Sequence, residues 1–277
     1  MPTVPTITLN NGVEIPQLGF GTFQIPPKET EAAVLSALET GYRHIDTAEM
    51  YGNEKEVGKA VRGSGLDRAD LFVTSKLNNP YHAHDDALGA FDKTLEDLDI
   101  DYLDLFLIHW PMPAVGDFVE TWHAMEEMYR SGRVKAVGVS NFKPHHLRRL
   151  LSDSVIVPAV NQIEVHPYLT QDDVRAFNAE HEIATEAWSP IAQGLVLDDP
   201  TITGIAERVG KSAAQVTLRW HLQRGDIVFP KSVTAKRVKE NFDLFDFELT
   251  EGDIAEITAL NRDERTGFDP DRMNATP

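Results

Sequence analysis

Short apolar stretches alternate with longer amphipathic stretches along almost the whole chain. The apolar stretches have the length and residue types of buried strands, and the amphipathic stretches repeat with the period of a helix. Eight strands are predicted, at residues 18–22, 43–46, 71–76, 103–109, 134–141, 157–164, 183–190 and 226–232. Near-continuous apolar strands separated by helices are typical of a parallel sheet that is buried on both faces.

Ahead of these strands, residues 6–15 predict a β-hairpin, with Asn11 and Gly12 supplying a turn of positive φ. No Pro-, Ser- or Gly-rich linker divides the chain. Eight strand–helix units therefore favour a closed (β/α)8 TIM barrel over an open doubly wound sheet. We predict a single α/β barrel domain over residues 1–277, with the hairpin at the bottom of the barrel.

The residues that end the predicted strands support a barrel. Polar and aromatic side chains lie at these ends, namely Asp46, Lys76, His109, Ser140, Asn141, Gln162, Trp188 and Lys231. In a barrel the carboxyl ends of the strands meet on one face, which is where barrel enzymes have their active sites. The alternative is that strands end in polar residues simply because they reach solvent, which would explain a few of these residues. Polar or aromatic residues at the ends of nearly all the predicted strands favour an active site.

The composition limits the classes of function. The chain has 277 residues and a formal net charge of −18, which disfavours nucleic acids and anionic membranes as partners. It contains no Cys, which excludes disulfides, thiolate metal sites and a Cys nucleophile. The first residues do not have the pattern of a signal peptide, and no stretch has the length of a membrane span. We expect a monomeric cytoplasmic protein that acts on a small molecule.

Asp46, Tyr51, Lys76 and His109 form a set suited to proton transfer. A phenol with a pKa of about 10 is a weak acid, but an ammonium group nearby stabilises its ionised form. Lys76 could be that ammonium, with Asp46 keeping it charged, and a neutral His109 could donate a hydrogen bond to a substrate oxygen. The set suits proton delivery to an oxygen that becomes negative in the transition state. Each residue also has an ordinary alternative, as a helix cap, a core histidine or a solvated lysine.

A second candidate site is basic. Four cations cluster in an otherwise acidic chain, namely Lys231, Lys236, Arg237 and Lys239. Thr234 resembles an N-cap, which places Lys236 and Arg237 in the first turn of a helix, where cations oppose the helix dipole. A bound anion would reverse this penalty, since helix N-termini suit phosphate groups. The alternative is an ordinary basic helix face.

Three other patterns are weaker signals. His82 and His84 could bind a metal, but they open a helix rather than end a strand, so we interpret them as a surface pair and predict no metal. YGNEK (51–55) has the Tyr-x-x-x-Lys spacing of short-chain dehydrogenases, but Gly52 and Asn53 should break the helix after Tyr51. No glycine-rich strand–helix fingerprint lies near the N-terminus, so a dinucleotide would bind without a Rossmann fold.

Six motifs resemble the signatures of the aldo-keto reductase family, in the same order. They are GYRHIDTAEMYGNE, LIHWP, GRVKAVGVSNF, NQIEVHPYL, WSPIAQG and PKSVTAKRVKENF, and the likeness runs from about residue 15 to 247. The short loops and the WSP motif are most similar to the bacterial branch that contains 2,5-diketo-D-gluconate reductases. The resemblance implies a (β/α)8 barrel that binds extended NADPH and reduces aldehydes and ketones to alcohols.

The resemblance also implies roles for individual residues. Tyr51 would be the proton donor, Lys76 and Asp46 would lower its pKa, and His109 would orient the carbonyl. The implied NADPH-binding residues are Gly21; Ser140, Asn141 and Gln162 at the nicotinamide carboxamide; Trp188 against the nicotinamide ring; Ser189, Ile191, Gln193 and Gly194 over the pyrophosphate; Lys231, Ser232, Val233, Thr234 and Arg237 at the adenosine 2′-phosphate; and Glu240 and Asn241 at the adenine.

The implied substrate pocket contains Phe23, Met50, Asn78 and Trp110. Phe23 and Trp110 fit aromatic positions of the family, whereas Asn78 stands where many members have Trp, which should make the pocket wider and more polar. The loop after His109 is short, and the polar tail after about residue 260 is expected to be mobile. These features suggest an open site of low selectivity for small dicarbonyls or keto-sugars.

Two other functions fit part of the sequence. A Schiff-base aldolase would use Lys76 as its nucleophile, because a lysine at a strand end of a barrel can form an imine. A non-catalytic relative would bind NADPH as a sensor or scaffold, although the intact set of Asp46, Tyr51, Lys76 and His109 disfavours it.

Overall fold

Strands and helices alternate along most of the computed structural model, which describes residues 4–275. The strands are β1 (Thr6–Thr8), β2 (Glu14–Pro16), β3 (Phe20–Gly21), β4 (His44–Asp46), β5 (Phe72–Leu77), β6 (Leu103–Ile108), β7 (Val134–Ser140), β8 (Val160–Glu164), β9 (Ala184–Trp188) and β10 (Ile227–Val228). The helices are α1 (Pro27–Thr40), α2 (Glu54–Gly63), α3 (His84–Leu98), α4 (Phe118–Arg130), α5 (Pro144–Asp153), α6 (Asp172–Glu180), α7 (Pro200–Val209), α8 (Ala213–Gln223), α9 (Ala235–Phe242) and α10 (Glu251–Thr258).

Strands β3 to β10 are parallel, and each pairs with the next strand along the chain. The first and last of them meet through backbone hydrogen bonds. Gly19 N donates to Val228 O at 2.8 Å, and Val228 N donates to Gln17 O at 3.0 Å. The sheet thus closes on itself, and the predicted (β/α)8 barrel with its eight strands is confirmed.

The N-terminal hairpin covers the end of the barrel where the parallel strands begin. Strands β1 and β2 pair antiparallel, as predicted, but only Gly12 of the turn has a positive φ, at 85°. Leu9 and Ile15 pack with apolar side chains such as Leu105 and Ile227 in one buried cluster. This cluster fills the lower part of the barrel, so the polar residues at the strand ends stand on a packed floor.

Local sequence determines where the helices begin and end. Asp199 caps α7, Pro200 is its first residue, and Gly210 ends it with φ at 68°. Ser212 and Gln215 form a capping box that starts α8. Within residues 4–275, none of the helices combines the length and the apolar character needed to cross a membrane.

Two buried indoles join neighbouring elements on the outside of the barrel. Trp122 of α4 and Trp220 of α8 are 0% exposed. Their N–H groups donate to Ile156 O at 3.0 Å and to Thr258 Oγ1 at 3.1 Å. Burying a side chain of this size stabilises the fold by roughly 2–3 kcal/mol, and the bonds prevent the loss that an unpaired buried N–H would cause. The two bonds join α4 to the segment before β8 and α8 to α10.

Candidate active site

A buried ion pair joins the carboxyl ends of β4 and β5. Lys76 Nζ donates to the two carboxylate oxygens of Asp46 at 2.8 and 2.9 Å, and to Thr47 O at 2.9 Å. The side chains of Lys76 and Asp46 are 0% and 2% exposed. With three strong acceptors around it, the ammonium has a fixed position at this end of the barrel.

Tyr51 reaches this ion pair by way of a short turn. It ends the 3-10 turn Glu49–Tyr51, and Gly52 then takes φ of 65° before α2 begins at Glu54. The hydroxyl group of Tyr51 lies 3.4 Å from Lys76 Nζ. The prediction that the helix is broken after Tyr51 is confirmed, and the Tyr-x-x-x-Lys spacing has no helical geometry here.

The pKa of Tyr51 differs from the expectation. Burial raises it, the positive charge of Lys76 lowers it, and the negative charge of Asp46 raises it, so that the pKa lies above its ordinary value of 10. The charge of Asp46 itself raises the Tyr51 pKa, so Asp46 can favour the ionised phenol only by keeping Lys76 charged. Asp46 acts through Lys76: burial lowers the Lys76 pKa, but Asp46 and Tyr51 outweigh burial and raise it. A protonated phenol thus lies beside a permanent ammonium.

His109 follows β6 directly and faces the phenol. Its ring centroid lies 5.8 Å from that of Tyr51, edge to face. Burial, and next the charge of Lys76, hold the pKa of His109 well below 6.5, so the ring is neutral at neutral pH. Its Nδ1 is buried and has no hydrogen-bond partner within residues 4–275. The prediction of a neutral imidazole near the proton donor agrees with this geometry.

The four residues expected at the carboxamide and the nicotinamide ring form one hydrogen-bonded group with the ion pair. Trp188 Nε1 donates to Asn141 Oδ1 at 2.9 Å, and Asn141 Nδ2 donates to Ser140 Oγ at 3.1 Å. Ser140 Oγ donates to the backbone carbonyl of Gln162 at 2.9 Å, and Gln162 Nε2 donates to Asp46 Oδ2 at 2.9 Å. Gln162 lies in the middle of β8 rather than at its end, so its side chain reaches the site from inside the barrel.

The backbone is strained at two strand ends in this region. Asn141 follows β7 with φ at 65°, and Ser189 follows β9 with φ at 49°. The left-handed conformation costs a residue other than glycine roughly 1 kcal/mol or more, although Asn tolerates it better than Ser. Such strain persists where the surrounding structure enforces it, which is common at ligand-binding sites.

Three of the four predicted pocket residues border the reactive groups. The Phe23 ring lies 5.1 Å from that of Tyr51 and is 52% exposed, as expected for an open wall. Met50 is half-buried in the same 3-10 turn as Tyr51. Trp110 is buried, and its ring stacks beside His109 with 6.5 Å between the centroids.

Asn78 has a local structural role as well. It is buried, and its Oδ1 accepts the backbone N–H of Asn79 at 2.8 Å, at the start of the 3-10 turn Asn79–Tyr81. The Asn78 carbonyl oxygen is therefore already bonded to the backbone, and this part of its polarity is not free for a substrate. The neighbouring Asn79 donates from Nδ2 to Ala275 O at 2.8 Å, which brings the C-terminal tail to this loop.

The tail is fastened across the carboxyl ends of the strands, and the expectation of a mobile tail is contradicted. Glu164, which ends β8, accepts the backbone N–H and the hydroxyl of Thr266 at 2.5 and 2.7 Å. Lys143, after β7, contacts Asp269 and Asp271 at 2.6 and 2.7 Å. The periodicity of the sequence gives no signal for these contacts, since each joins residues about a hundred or more positions apart.

Gly267 in this tail lies against the indole of Trp188. A Cβ atom at Gly267 would stand 2.3 Å from the nearest indole carbon, so the close approach requires glycine. Gly21 has a comparable structural reason, because a Cβ there would lie 2.7 Å from Phe229 O. The glycine at position 21 is thus explained by packing of β3, whatever its part in binding.

The basic segment has the features of an anion site. Thr234 is the N-cap of α9, as predicted, but its side chain makes no capping bond. Lys236 and Arg237 lie in the first turn, which contains no acidic residue, and both are exposed, as is Lys231. Free backbone N–H groups, adjacent cations and no competing carboxylate fit a phosphate group.

The remaining predicted cofactor residues lie in two segments. Ser189, Ile191, Gln193 and Gly194 belong to the loop between β9 and α7, where Gln193 and Gly194 have φ of 55° and 99°. Ser232 and Val233 precede α9, whereas Glu240 and Asn241 lie near its C-terminal end. Both segments follow barrel strands, β9 and β10, at their carboxyl ends.

The histidine pair needs a correction. His82 is buried, and its Nδ1 pairs with Thr121 Oγ1 at 3.2 Å, so only His84 is a surface residue. The absence of a metal stays a prediction. His145, His146 and Asp271 lie close enough to share a cation, but His146 Nδ1 accepts the backbone N–H of Lys143 at 3.2 Å. The ring proton of neutral His146 is then on Nε2, where it blocks a metal.

Comparison with known proteins identifies the family. Residues 17–262 match the model of the Aldo/keto reductase family. The chain belongs to this family. It is 48% identical to the glyoxal reductase of Bacillus subtilis over 99% of both chains, and 45% identical to the methylglyoxal reductase DkgA of Escherichia coli over 98% of both chains. A mutant of Gox0644, solved in complex with NADPH, has a TM-score of 0.94 at 44% identity and covers 98% of this chain and 99% of its own.

These similarities confirm the predicted family, its bacterial branch and the class of enzyme, an oxidoreductase of the aldo/keto reductase family. The roles of the individual site residues remain predictions. Their shared position around one buried ion pair is the structural basis for the proposal that follows.

Proposed function

We propose that the protein reduces aldehydes and ketones to alcohols with NADPH, using Tyr51 as the proton donor. The observation that carries the proposal is the position of the Tyr51 hydroxyl, 3.4 Å from the ammonium of Lys76, which Asp46 holds at 2.8 Å. His109 completes the set as a neutral imidazole. The two named reductases above also support a carbonyl substrate.

Each residue has a role that follows from its charge and its partners. When bound, NADPH supplies the hydride that reduces the carbonyl carbon. Tyr51 donates its proton to the carbonyl oxygen, and Lys76 stabilises the phenolate that is left. Asp46 keeps Lys76 charged and in place. His109 orients the carbonyl through a hydrogen bond from its neutral ring, which needs no extra charge in the site.

Lys231, Ser232, Val233, Thr234 and Arg237 would hold the 2′-phosphate at the start of α9. The residues at the ends of β7, β8 and β9 would hold the nicotinamide, with the amides of Asn141 and Gln162 at its carboxamide and Trp188 against its ring. The support is the fit of the free helix N-terminus to phosphate and the joining of these side chains into one group.

Small 1,2-dicarbonyls and polar keto-sugars are the proposed substrates. The exposed Phe23 and the polar Asn78 support an open, partly polar pocket, and the C-terminal tail reaches the residue next to Asn78. The names of the relatives, glyoxal reductase and methylglyoxal reductase, point to the same class. Loss of NADPH absorbance with glyoxal, methylglyoxal, keto-sugars and simple aldehydes tests the proposal. No consumption of NADPH with any of them would overturn it.

The aldolase alternative is disfavoured by the state of Lys76. An imine-forming lysine must be a neutral amine, whereas Lys76 is buried, has three acceptors within 2.9 Å and a raised pKa. Borohydride in the presence of a carbonyl compound should therefore fail to attach it to Lys76. The sensor alternative predicts NADPH binding without turnover, which the same absorbance assay decides.

We also propose that residues 1–277 act as a single domain and as a monomer in the cytoplasm. The closed eight-stranded sheet supports a single domain, the absence of Cys fits the cytoplasm, and the net charge of −18 disfavours self-association. Light scattering on the purified protein measures its mass directly, and a mass of two or more chains would contradict the monomer.

A further inference from the structure

Glu186 is a buried carboxyl group to which the proposed reaction gives no role. It lies in the middle of β9, opposite Gln162 of β8 in the strand register, and is 0% exposed. Its Oε2 accepts a hydrogen bond from Gln162 Nε2 at 2.7 Å, whereas its Oε1 is buried without a partner in the described part of the chain. Such an oxygen is costly to bury, so its presence needs a reason.

The amide of Gln162 is held from two sides. Its Nε2 donates to Asp46 Oδ2 at 2.9 Å and to Glu186 Oε2 at 2.7 Å. An amide nitrogen has two hydrogens, so both are used. Asp46, paired with Lys76, can only accept, and it therefore fixes which end of the amide points to the two acids. The amide oxygen is left as the one atom of the Gln162 side chain that can bind a ligand, and it is an acceptor.

We propose that Glu186 is a positioning residue: together with Asp46 it locks the amide of Gln162, so that Gln162 offers its carbonyl oxygen to the NH2 group of the nicotinamide carboxamide. This inference rests on the proposed function. Glu186 touches neither the cofactor nor the reacting atoms, and it acts only through Gln162.

The charge state of Glu186 fits this role. Burial and next the negative charge of Asp46 raise the pKa of Glu186 to about 8, while the bond from Gln162 and the charge of Lys76 act in the opposite direction. Asp46 on β4 and Lys76 on β5 are the charged groups that act on it. At neutral pH Glu186 is mostly protonated, so it accepts the amide bond without adding a second negative charge beside Lys76.

A pair of dinucleotides tests the lock. In the 3-acetylpyridine analogue of NADP⁺ a methyl group replaces the NH2 of the carboxamide, which removes the donor that Gln162 would bind. Fluorescence titration of the wild type should give about tenfold tighter binding of NADP⁺ than of the analogue, which corresponds to one hydrogen bond of ~1.4 kcal/mol. In Glu186→Leu the preference should fall below about threefold, because the amide is held from one side only.

Two further variants separate positioning from packing. Glu186→Gln keeps an acceptor of the same size and should keep the preference. Glu54→Gln removes another buried carboxyl, one that is bonded to Ser75 and Thr94 rather than Gln162, and should also keep it. A Glu186→Leu protein that retains the tenfold preference, or that loses affinity equally for both dinucleotides, would overturn the inference.

Infrared spectra of the ligand-free protein give a readout that needs no cofactor. Glu54→Gln, which removes the other buried neutral acid, should show a protonated carboxyl band that titrates near pH 8 and is missing in the double variant Glu54→Gln/Glu186→Gln. A band that is the same in the double variant would contradict the neutral acceptor. A wild type that binds neither dinucleotide would overturn the proposed function together with this inference, whereas equal preference in wild type and Glu186→Leu would overturn this inference alone.

Discussion

Replacing Lys76 by Met should destabilise the protein more than replacing both members of its ion pair. In Lys76→Met the carboxylate of Asp46, 2% exposed, loses its cation and keeps the amide of Gln162 at 2.9 Å. Removing one partner of a buried pair costs about 3–5 kcal/mol, because the other charge stays buried and unpaired. Adding Asp46→Asn removes that charge, so the double variant should lose only about 1–2 kcal/mol.

Urea unfolding at pH 7, followed by tryptophan fluorescence, measures both variants. Because the two side chains are in contact, their changes should not add, and a coupling energy of about 2 kcal/mol or more is expected. Lys59→Met is the matched control: Lys59 is 54% exposed and pairs with Glu56 at 3.5 Å on the surface of α2. The Lys59→Met protein should lose less than about 1 kcal/mol of unfolding free energy. A double variant as unstable as the sum of the two single variants would refute the buried ion pair.

Two other predictions concern cofactor choice and pH. Arg237→Ala should weaken NADPH binding by about 10–100-fold and NADH binding by less than about threefold, because a charge-assisted bond to phosphate is worth about 1.5–3 kcal/mol. Lys239→Ala, which changes a cation away from the start of the helix, is the control. Equal losses of affinity for NADPH and NADH in Arg237→Ala would refute a 2′-phosphate site at Arg237. Burial raises the pKa of Glu54 from 4.5 to about 7, so the folded state keeps a proton that the unfolded state releases, and stability falls as pH rises from about 4.5 to 7. In urea titrations at several pH values, Glu54→Gln should reduce the loss of unfolding free energy between pH 4.5 and 7 by about 3 kcal/mol. The same dependence of unfolding free energy on pH in the variant and the wild type would show that Glu54 is not buried as a neutral acid.

Much of the barrel could be predicted because each strand is encoded by a short local pattern of residues. The predicted strand 71–76 has no competing helical pattern, and the barrel topology brings its last residue, Lys76, beside Asp46. The end of the helical turn after Tyr51 was predictable for the same reason, because a glycine such as Gly52 can adopt the positive φ that ends a turn without help from other residues.

Other features could not be predicted from local patterns. The tail has no periodicity, and its contacts join Thr266 to Glu164 and Asp269 to Lys143, which lie far apart in the sequence. The raised pKa of Tyr51 depends on the balance of burial and two opposite charges at known distances, which the sequence does not give.

Glu186 was missed although a signal existed. A glutamate inside the apolar stretch 183–190 is unexpected for a strand buried on both faces, and it indicates a polar partner in the barrel interior. The identity of that partner, Gln162, required the strand register.

The central claim, that Tyr51 delivers the proton, is tested most directly by single-turnover reduction of glyoxal by NADPH with wild type and Tyr51→Phe. The variant removes one hydroxyl group beside Lys76, so NADPH should bind within about threefold of the wild type, while the rate of NADPH oxidation should fall by about 10²–10⁴-fold or more. An unchanged rate of NADPH oxidation in Tyr51→Phe would contradict the account.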